Sequence, residues 1–387
     1  MWQSDLSASS FLERYWQRNS LYVPQADVAN STLVTGDELA GLACEEDVMS
    51  RIVRGDARTS ELRCEHGPFD ETRFAALQGP WTLLVQGVDQ WLAQVRDVLT
   101  HFSFLPAWRL DDIMVSYASD GGGVGAHFDY YDVFLLQLSG TRNWQLGAMC
   151  DPSTATIDVD GMRLLGNFAH ASEVLARAGD LLYVPARMAH RGVAVGDNCM
   201  TMSVGFRAPS YADLLRGLVH EIADGVPEQE RYCDGALAPA ADRFLIDNIA
   251  LDRAAAALSH LDQESLRGAL TLTFGKQVTE PRAEPGLSLQ DNEPGDNEPE
   301  DNEQVTARAT GVPAVVRLRH APNTRWAYAA GDTDDGAILF IDGEAYVTTR
   351  QFATSLCREA VEESLLACPE HIRLLQELLA CGVIFYR

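Results

Sequence analysis

His127 and Asp129 stand two residues apart in the stretch "GVGAHFDYYDVFLLQL" from Gly123 to Leu138. In extended backbone the side chains alternate faces with period two, so both would leave one face while Phe128 leaves the other. An imidazole and a carboxylate looking into one space are two of the three groups that hold a catalytic transition metal. The best third candidate is His190, in "AGDLLYVPARMAHRGVAV". There a Gly179-Asp180 turn leads into a strand over Leu181 to Val184, Pro185 ends it, and His190 opens the next strand-like run. His127, Asp129 and His190 would form the two-histidine, one-carboxylate set of non-haem Fe(II) oxygenases. Three protein ligands leave three octahedral positions, two for the keto acid of 2-oxoglutarate and one for O2. An isolated His-x-Asp pair also suits two buried polar groups satisfied by hydrogen bonds. The glycine run Gly121 to Gly125, the apolar run after the pair and the Gly-Asp strand before His190 tip the balance toward metal. Among the other histidines only His170 competes with His190.

A dicarboxylate cosubstrate needs a cation for its far end. Arg142 in "LSGTRNWQLG", thirteen residues after Asp129, supplies a guanidinium able to make a bidentate, charge-assisted contact. The hydroxyls of Ser116, Thr201 and Ser203 are placed to assist it. A solvated turn arginine is the plainer reading of the same residue.

The elements that must position these groups are short β-rich runs between residues 112 and 207, "IMVSYAS", "DVFLLQL", "NWQLGA", "GDLLYVPA" and "MTMSVGFRA", separated by Gly, Asp and Pro. Their density predicts a barrel or sandwich. A capped helix is expected over "SASSFLERYWQ" and another from Asp89 to Phe104. After Arg207, "SYADLLRGLVHEIADG" and "DRAAAALSHLDQESLRGALTLTF" have helical periodicity. Leu214, Leu215, Leu218 and Val219 there have little to cover, so a homodimer is expected. Residues 280–303 hold nine acids, one Arg, four Pro and three copies of Asp-Asn-Glu, which is linker composition. The tail resumes with "PAVVRLR", a hairpin turning at Asp342-Gly343, helical patterns around 350–363 and 370–379, and "GVIFYR". Two helices with a hairpin predict a winged-helix-like domain. Residues 306–387 carry ten acids against eight arginines, which lacks the basic footprint of a DNA-binding domain.

The chain has 387 residues and a formal net charge of -26, a balance that repels nucleic acid and anionic membrane and steers basic partners inward. Its eight cysteines are scattered with no Cys-x-x-Cys pair, which suits reduced thiols. No basic segment followed by an apolar run opens the sequence, and no run of about eighteen apolar residues occurs, so a soluble, cytoplasmic protein is expected.

Taken together, "FLERYWQ", "EHGPF", "PAWRLDDIMVSYASDGGGVGAHFDYYDVFLLQLSGTRNWQLG", "GDLLYVPARMAHRGVAV" and "MSVGFRAPS" resemble the bacterial JmjC-type ribosomal oxygenases. These are cupin-like 2-oxoglutarate enzymes that hydroxylate an arginine of large-subunit ribosomal protein sixteen. The resemblance is dense over 7–210, looser afterwards, and poor between 150 and 175. It implies a mixed α+β fold with a double-stranded β-helix (JmjC/cupin-like) catalytic domain at 1–207. A helical dimerisation region at 208–278, an acidic linker at 279–305 and a winged-helix-like domain at 306–387 would follow. It further implies Fe(II) on His127, Asp129 and His190, 2-oxoglutarate on Arg142, O2 as second cosubstrate, and a basic ribosomal protein as substrate. A substrate guanidinium would seek acids and aromatic faces, which makes Asp120, Tyr130 and Tyr131 candidate contacts. The same chemistry also serves histidine hydroxylation of another ribosomal protein or removal of an N-methyl group. A non-enzymatic cupin-like metal-binding module would have no use for Arg142.

Overall fold

The computed structural model describes residues 6–26, 28, 33–59, 61–227, 229–233, 246, 248–257, 263–281, 315–321, 324–331 and 333–387. These divide into two compact units, one up to Ala208 and one from Pro209 onward. From residue 282, the expected acidic linker lies outside the described residues.

The first unit is built on one antiparallel sheet. Its strands in chain order are β1 (Leu21–Val23), β2 (Ser50–Arg54), β3 (Arg63–His66), β4 (Trp81–Val85), β5 (Leu110–Ala118) and β6 (Asp132–Met149), then β9 (His170–Arg177), β10 (Leu181–Val184) and β11 (Met188–Phe206). The hairpin of β7 (Thr156–Val159) and β8 (Met162–Leu165) stands apart from it. The spatial order is β1-β10-β6-β11-β5-β4-β2-β3, with β9 also paired to β6.

The runs read as separate strands in the sequence join into two long ones, β6 and β11, which bend together. The first half of β6 pairs with β10 and the second half of β11. Its second half pairs with β9 and the first half of β11, the register shifting between Val195 and Met200. The bend falls at Gly140, whose φ of +65° is left-handed. A Cβ there would meet the Asn198 carbonyl at 2.7 Å and the Cys199 Cα at 2.8 Å, so only glycine turns this corner.

Alternation along β6 sorts its side chains onto two faces. Phe134, Leu136 and Leu138 join Phe11, Tyr183, Met202 and Val204 in the main core. Val133, Leu135, Trp144 and Leu146 face the other way, with Leu182, Val184 and Ala176. The opening helix forms as expected, Ala8–Arg14 with Ser7 accepting the Ser10 N–H, and buries Phe11 in the main core. The helix expected over 89–104 is instead broken into Val88–Trp91, Ala93–Arg96 and a 3-10 turn, Asp97–Phe102. Leu92 takes an extended conformation between the first two pieces, and the Asp89 carboxylate accepts the Ile113 N–H from β5.

Asp132, fully buried at the start of β6, ties this unit together. It accepts from the Tyr183 hydroxyl at 2.6 Å, from Gln17 Nε2 at 3.1 Å and from Arg109 Nη2 at 3.1 Å. Replacing one member of a buried ion pair strands the other charge and typically costs about 3–5 kcal/mol. Asp132→Asn keeps the shape and loses the charge, so it should lower unfolding stability by roughly 3 kcal/mol in urea titration, on the same principle. A loss below about 1 kcal/mol would show the Arg109 pair to be inconsequential.

In the second unit the helices Tyr211–Asp224 and Gln263–Thr279 pack together at Gly217, where a Cβ would run into Thr273 and Gln277. Lys276, the only lysine in the chain, reaches Glu221 at 2.6 Å. Gly275 of the second helix lies directly on the Phe340 ring. The helices and the tail, expected from the sequence as separate modules, therefore share one unit. Its strands are β12 (Val315–His320), β13 (Trp326–Ala330), β14 (Gly336–Ile341), β15 (Glu344–Thr349), β16 (Ala360–Glu362) and β17 (Ile384–Tyr386). β13, β14 and β15 form a meander, and β14 turns into β15 at Asp342-Gly343 with φ of +48° and +84°. The helices Arg350–Cys357 and Pro369–Ala380 bury Phe352, Leu356, Leu374 and Leu378 against the inner face of this meander and β12.

Candidate metal centre

The His127-Asp129 pair is not inside a strand. Residues 121–131 run as an irregular segment before β6, and His127 touches the sheet through one isolated antiparallel bridge to His190. Two backbone hydrogen bonds close that bridge, at 3.0 and 2.8 Å. The glycines explain the departure. Gly121 donates to the Ala194 carbonyl, Gly122 accepts from the Ala194 N–H, and Gly123 lies so close to Gly192 that a Cβ would strike its carbonyl oxygen. The segment thus follows β11 too tightly for side chains and delivers His127 beside His190.

The three expected ligands converge. His127 Nε2 lies 3.7 Å and His190 Nε2 3.6 Å from Asp129 Oδ2, the imidazole centroids are 4.3 Å apart, and candidate ligand atoms on all three residues fall within 4.8 Å of one another. Each imidazole has Nδ1 at a carbonyl oxygen two residues back, Gly125 at 3.1 Å and Met188 at 2.9 Å. A proton on Nδ1 donated to that carbonyl leaves the Nε2 lone pair for a metal. The Asp129 backbone is fixed in turn, since its carbonyl accepts the Arg187 N–H at 2.6 Å. Burial, then repulsion from His127, lowers the His190 pKa to about 4, which keeps the ring neutral and able to ligate at neutral pH.

Arg142 lies in the second half of β6, paired with Ala194, which is four residues along β11 from His190 and on the same face. It is 4% exposed, and its Nε and Nη2 have no hydrogen-bond partner. A buried guanidinium with unmet donors is costly unless an anion completes it, so the wall carrying His190 also presents a guanidinium suited to receive an anion. Donor set and receptor together fit a divalent metal with a chelating acid whose second carboxylate reaches Arg142.

The hydroxyl candidates are buried in the neighbouring strands, but two of them are engaged within the protein. Thr201 Oγ1 donates to Gln137 Oε1 at 2.8 Å, and Ser116 Oγ to the Thr201 carbonyl at 3.3 Å. Ser203 sits between Met114 and Leu135. Tyr130 is 58% exposed and meets the Phe128 ring edge-on at 5.4 Å. Tyr131 is packed under the Arg207 guanidinium at 5.6 Å. Burial and then the negative neighbours Asp129, Asp112 and Asp111 push its hydroxyl pKa far up, so it stays protonated. Asp120 is exposed, and its carboxylate accepts the Gly196 N–H at 2.7 Å at the bend in β11. His170 opens β9, exposed and stacked near Phe168, outside the ligand cluster.

Trp144 and Gly192 escaped the sequence reading. The signal was available, since Trp144 follows Arg142 by two and so shares its face.

Residues 97–214 match the JmjC domain family. Over 209 residues the chain is 38% identical to a probable ribosomal oxygenase of Haemophilus influenzae, covering 54% of this chain and 51% of that one. Over 240 residues it is 35% identical to the ribosomal protein uL16 3-hydroxylase of Escherichia coli, covering 62% and 63%. The matched stretches therefore span about half to under two thirds of those relatives. The solved structure of the Escherichia coli ribosomal oxygenase YcfD in complex with cobalt and 2-oxoglutarate is similar over 100% of both chains, at 26% identity and a TM-score of 0.74. Another structure of Escherichia coli YcfD gives a TM-score of 0.75 at 25% identity, again over both chains in full.

Proposed function

From the premise that residues 97–214 of this chain are a JmjC domain of cupin-like fold, we propose that the protein is an Fe(II)- and 2-oxoglutarate-dependent dioxygenase. It hydroxylates a basic ribosomal protein, with C3 of an arginine in uL16 as the leading target. One observation carries the reading: three converging metal donors share a wall with a buried guanidinium whose Nε and Nη2 are unmet.

In this reading His127 and His190 give Nε2 and Asp129 gives a carboxylate oxygen to Fe(II), while Arg142 takes the distal carboxylate of 2-oxoglutarate. When bound, iron supplies the redox chemistry by which 2-oxoglutarate and O2 become succinate and CO2 as one oxygen atom enters a substrate C–H bond. The chain's own part is placement. The Gly125 and Met188 carbonyls orient the two imidazoles, the Arg187 N–H holds the Asp129 turn, and Leu135, Leu146 and Leu182 form the buried apolar cluster around Trp144. Ser203 completes the cosubstrate pocket, and Ser116 and Thr201 brace its wall. Tyr130 offers an exposed aromatic face to an incoming guanidinium, and Tyr131 a protonated hydroxyl.

The catalytic domain is assigned to 1–207. The helical segment 208–278 makes a homodimer through the exposed stripe of Tyr211, Leu215 and Val219, and 306–387 acts as a winged-helix-like domain that does not bind DNA. No described helix is long and apolar enough to cross a membrane. A cytoplasmic location follows from a ribosomal substrate.

The test is intact-protein mass spectrometry of unmodified ribosomes incubated with the protein, Fe(II), ascorbate and 2-oxoglutarate, beside a His127→Ala control. Gain of one oxygen on uL16, absent in the control, is the expected result. Oxygen on another ribosomal protein, or on a histidine, would move the target. Formaldehyde release would mark demethylation, and no change anywhere would leave a non-enzymatic metal-binding module.

A further inference from the structure

Trp144 occupies the ground between the two ends of the site. The Arg142 guanidinium carbon lies 5.7 Å from its ring centroid and the His190 ring centroid 6.1 Å from it, with Trp144 between the two in the register of β6 and β11. The indole is 7% exposed and is backed by Val133, Leu135, Leu146, Ala176 and Leu182, so it has little room to swing. Its seat is Gly192, directly opposite it on β11. A Cβ on Gly192 would meet Cζ3 of the indole at 2.5 Å and Cη2 at 2.7 Å. Gly123 runs beside Gly192 along the edge of β11, where a Cβ would strike the Gly192 carbonyl oxygen. The indole therefore lies directly on the backbone of Gly192, where no side chain could stand between them.

The guanidinium itself is not tethered by its own hydrogen bonds at Nε or Nη2. Its distance from the metal donors is set by backbone register and by what it leans on, and what it leans on is this indole. A bidentate contact to a carboxylate tolerates little displacement.

We infer that Trp144, seated on Gly192, is the ruler that sets which chain length of 2-oxo dicarboxylate the site accepts, by fixing the Arg142 guanidinium relative to His190. The inference rests on the function proposed above and names the feature that selects the five-carbon cosubstrate over its four- and six-carbon homologues. Trp144 is a positioning residue in this scheme: it gives up no proton and ligates nothing. Trp144→Phe shortens the support and lengthens the slot. Gly192→Ala pushes the indole off its seat into the slot and shortens it.

The experiment is calorimetric titration of the full-length, Co(II)-loaded protein with oxaloacetate, 2-oxoglutarate and 2-oxoadipate. One methylene in a fitted pocket is worth about 10- to 200-fold in discrimination. The wild-type protein should prefer 2-oxoglutarate over 2-oxoadipate by a ratio in that range. In Trp144→Phe the preference should shrink at least about tenfold, on the same basis. In Gly192→Ala 2-oxoglutarate should weaken more than oxaloacetate. Co(II) affinity should stay constant in all three proteins, which separates a ruler from general damage to the fold. If both variants weaken all three acids equally, or if Trp144→Phe keeps the wild-type preference, the inference fails while the proposed function stands. If the wild-type protein binds Co(II) but none of the three acids, the proposed function fails and this inference with it. Should Trp144→Phe not fold, the Gly192→Ala ratio decides alone.

Discussion

Arg142→Met should raise the stability of the protein free of 2-oxoglutarate and, in the same molecule, remove most of its response to 2-oxoglutarate. The wild-type guanidinium is 4% exposed with Nε and Nη2 unmet. An isolated buried charge is among the costliest groups a fold can carry, and well-packed apolar replacements of buried ionic groups are often stabilising by about 1–4 kcal/mol. Methionine is flexible enough to fill the space beside Trp144, so the lower half of that range is expected, a rise of a few degrees in unfolding temperature. Binding works the other way. In the wild-type protein 2-oxoglutarate at a hundred times its Kd should add about 2.7 kcal/mol by mass action, and in Arg142→Met most of that increment should be lost. Thermal unfolding of both proteins with Co(II), with and without 2-oxoglutarate, reads both effects. An arginine serving only the fold would give the opposite pair of signs: a less stable variant, and an unchanged ligand response.

The metal donors were legible because their signal is chemical type at short spacing. His127-x-Asp129 and the Gly179-Asp180 turn leading to His190 are patterns that survive whatever the backbone does between them. The local conformation was less legible. Period-two reasoning put His127 and Asp129 in a strand, whereas the glycine run packs against Gly192 and Ala194 and leaves the pair in an irregular segment with one bridge. The ligands still meet because His127 is fixed by pairing to His190 itself, a long-range contact that no window of sequence contains. The same limit hid the unity of β6, read as two strands because Gly140 looks like a terminator, although here it bends a continuous strand. It also hid the hydrogen bond of Asp120 to a backbone N–H seventy-six residues away. Trp144 was overlooked for a different reason. An apolar residue on an inward face is ordinarily core, and only the placement of Arg142 and His190 on either side of it gives it more to do.

Asp129→Ala should eliminate both metal binding and turnover, with loss of the metal as the cause. Asp129 Oδ2 is the one anionic donor among the three, and it lies nearly equidistant from the two imidazoles, at 3.6 and 3.7 Å. Removing it leaves two neutral nitrogens whose rings are only 4.3 Å apart, a pair that offers a hard divalent cation neither charge nor a third point of attachment. Substitutions of groups that merely orient a metal ligand already cost about 10- to 100-fold in affinity, so loss of a ligand itself should exceed roughly 100-fold. Equilibrium titration with Co(II) followed by its visible absorption measures this without any substrate. His170→Ala is the matching control, since His170 is exposed on β9 and outside the cluster, and its Co(II) titration should be indistinguishable from wild type. The 2-oxoglutarate response provides the second readout. In the proposed arrangement the keto acid would chelate the metal and its far carboxylate would meet Arg142, so Asp129→Ala should weaken 2-oxoglutarate without abolishing the contribution of Arg142, whereas Arg142→Met should leave Co(II) affinity intact. If Asp129→Ala retained Co(II) affinity within tenfold of wild type, the metal would have to be held elsewhere, and the facial arrangement of His127, Asp129 and His190 would lose its standing as the metal centre.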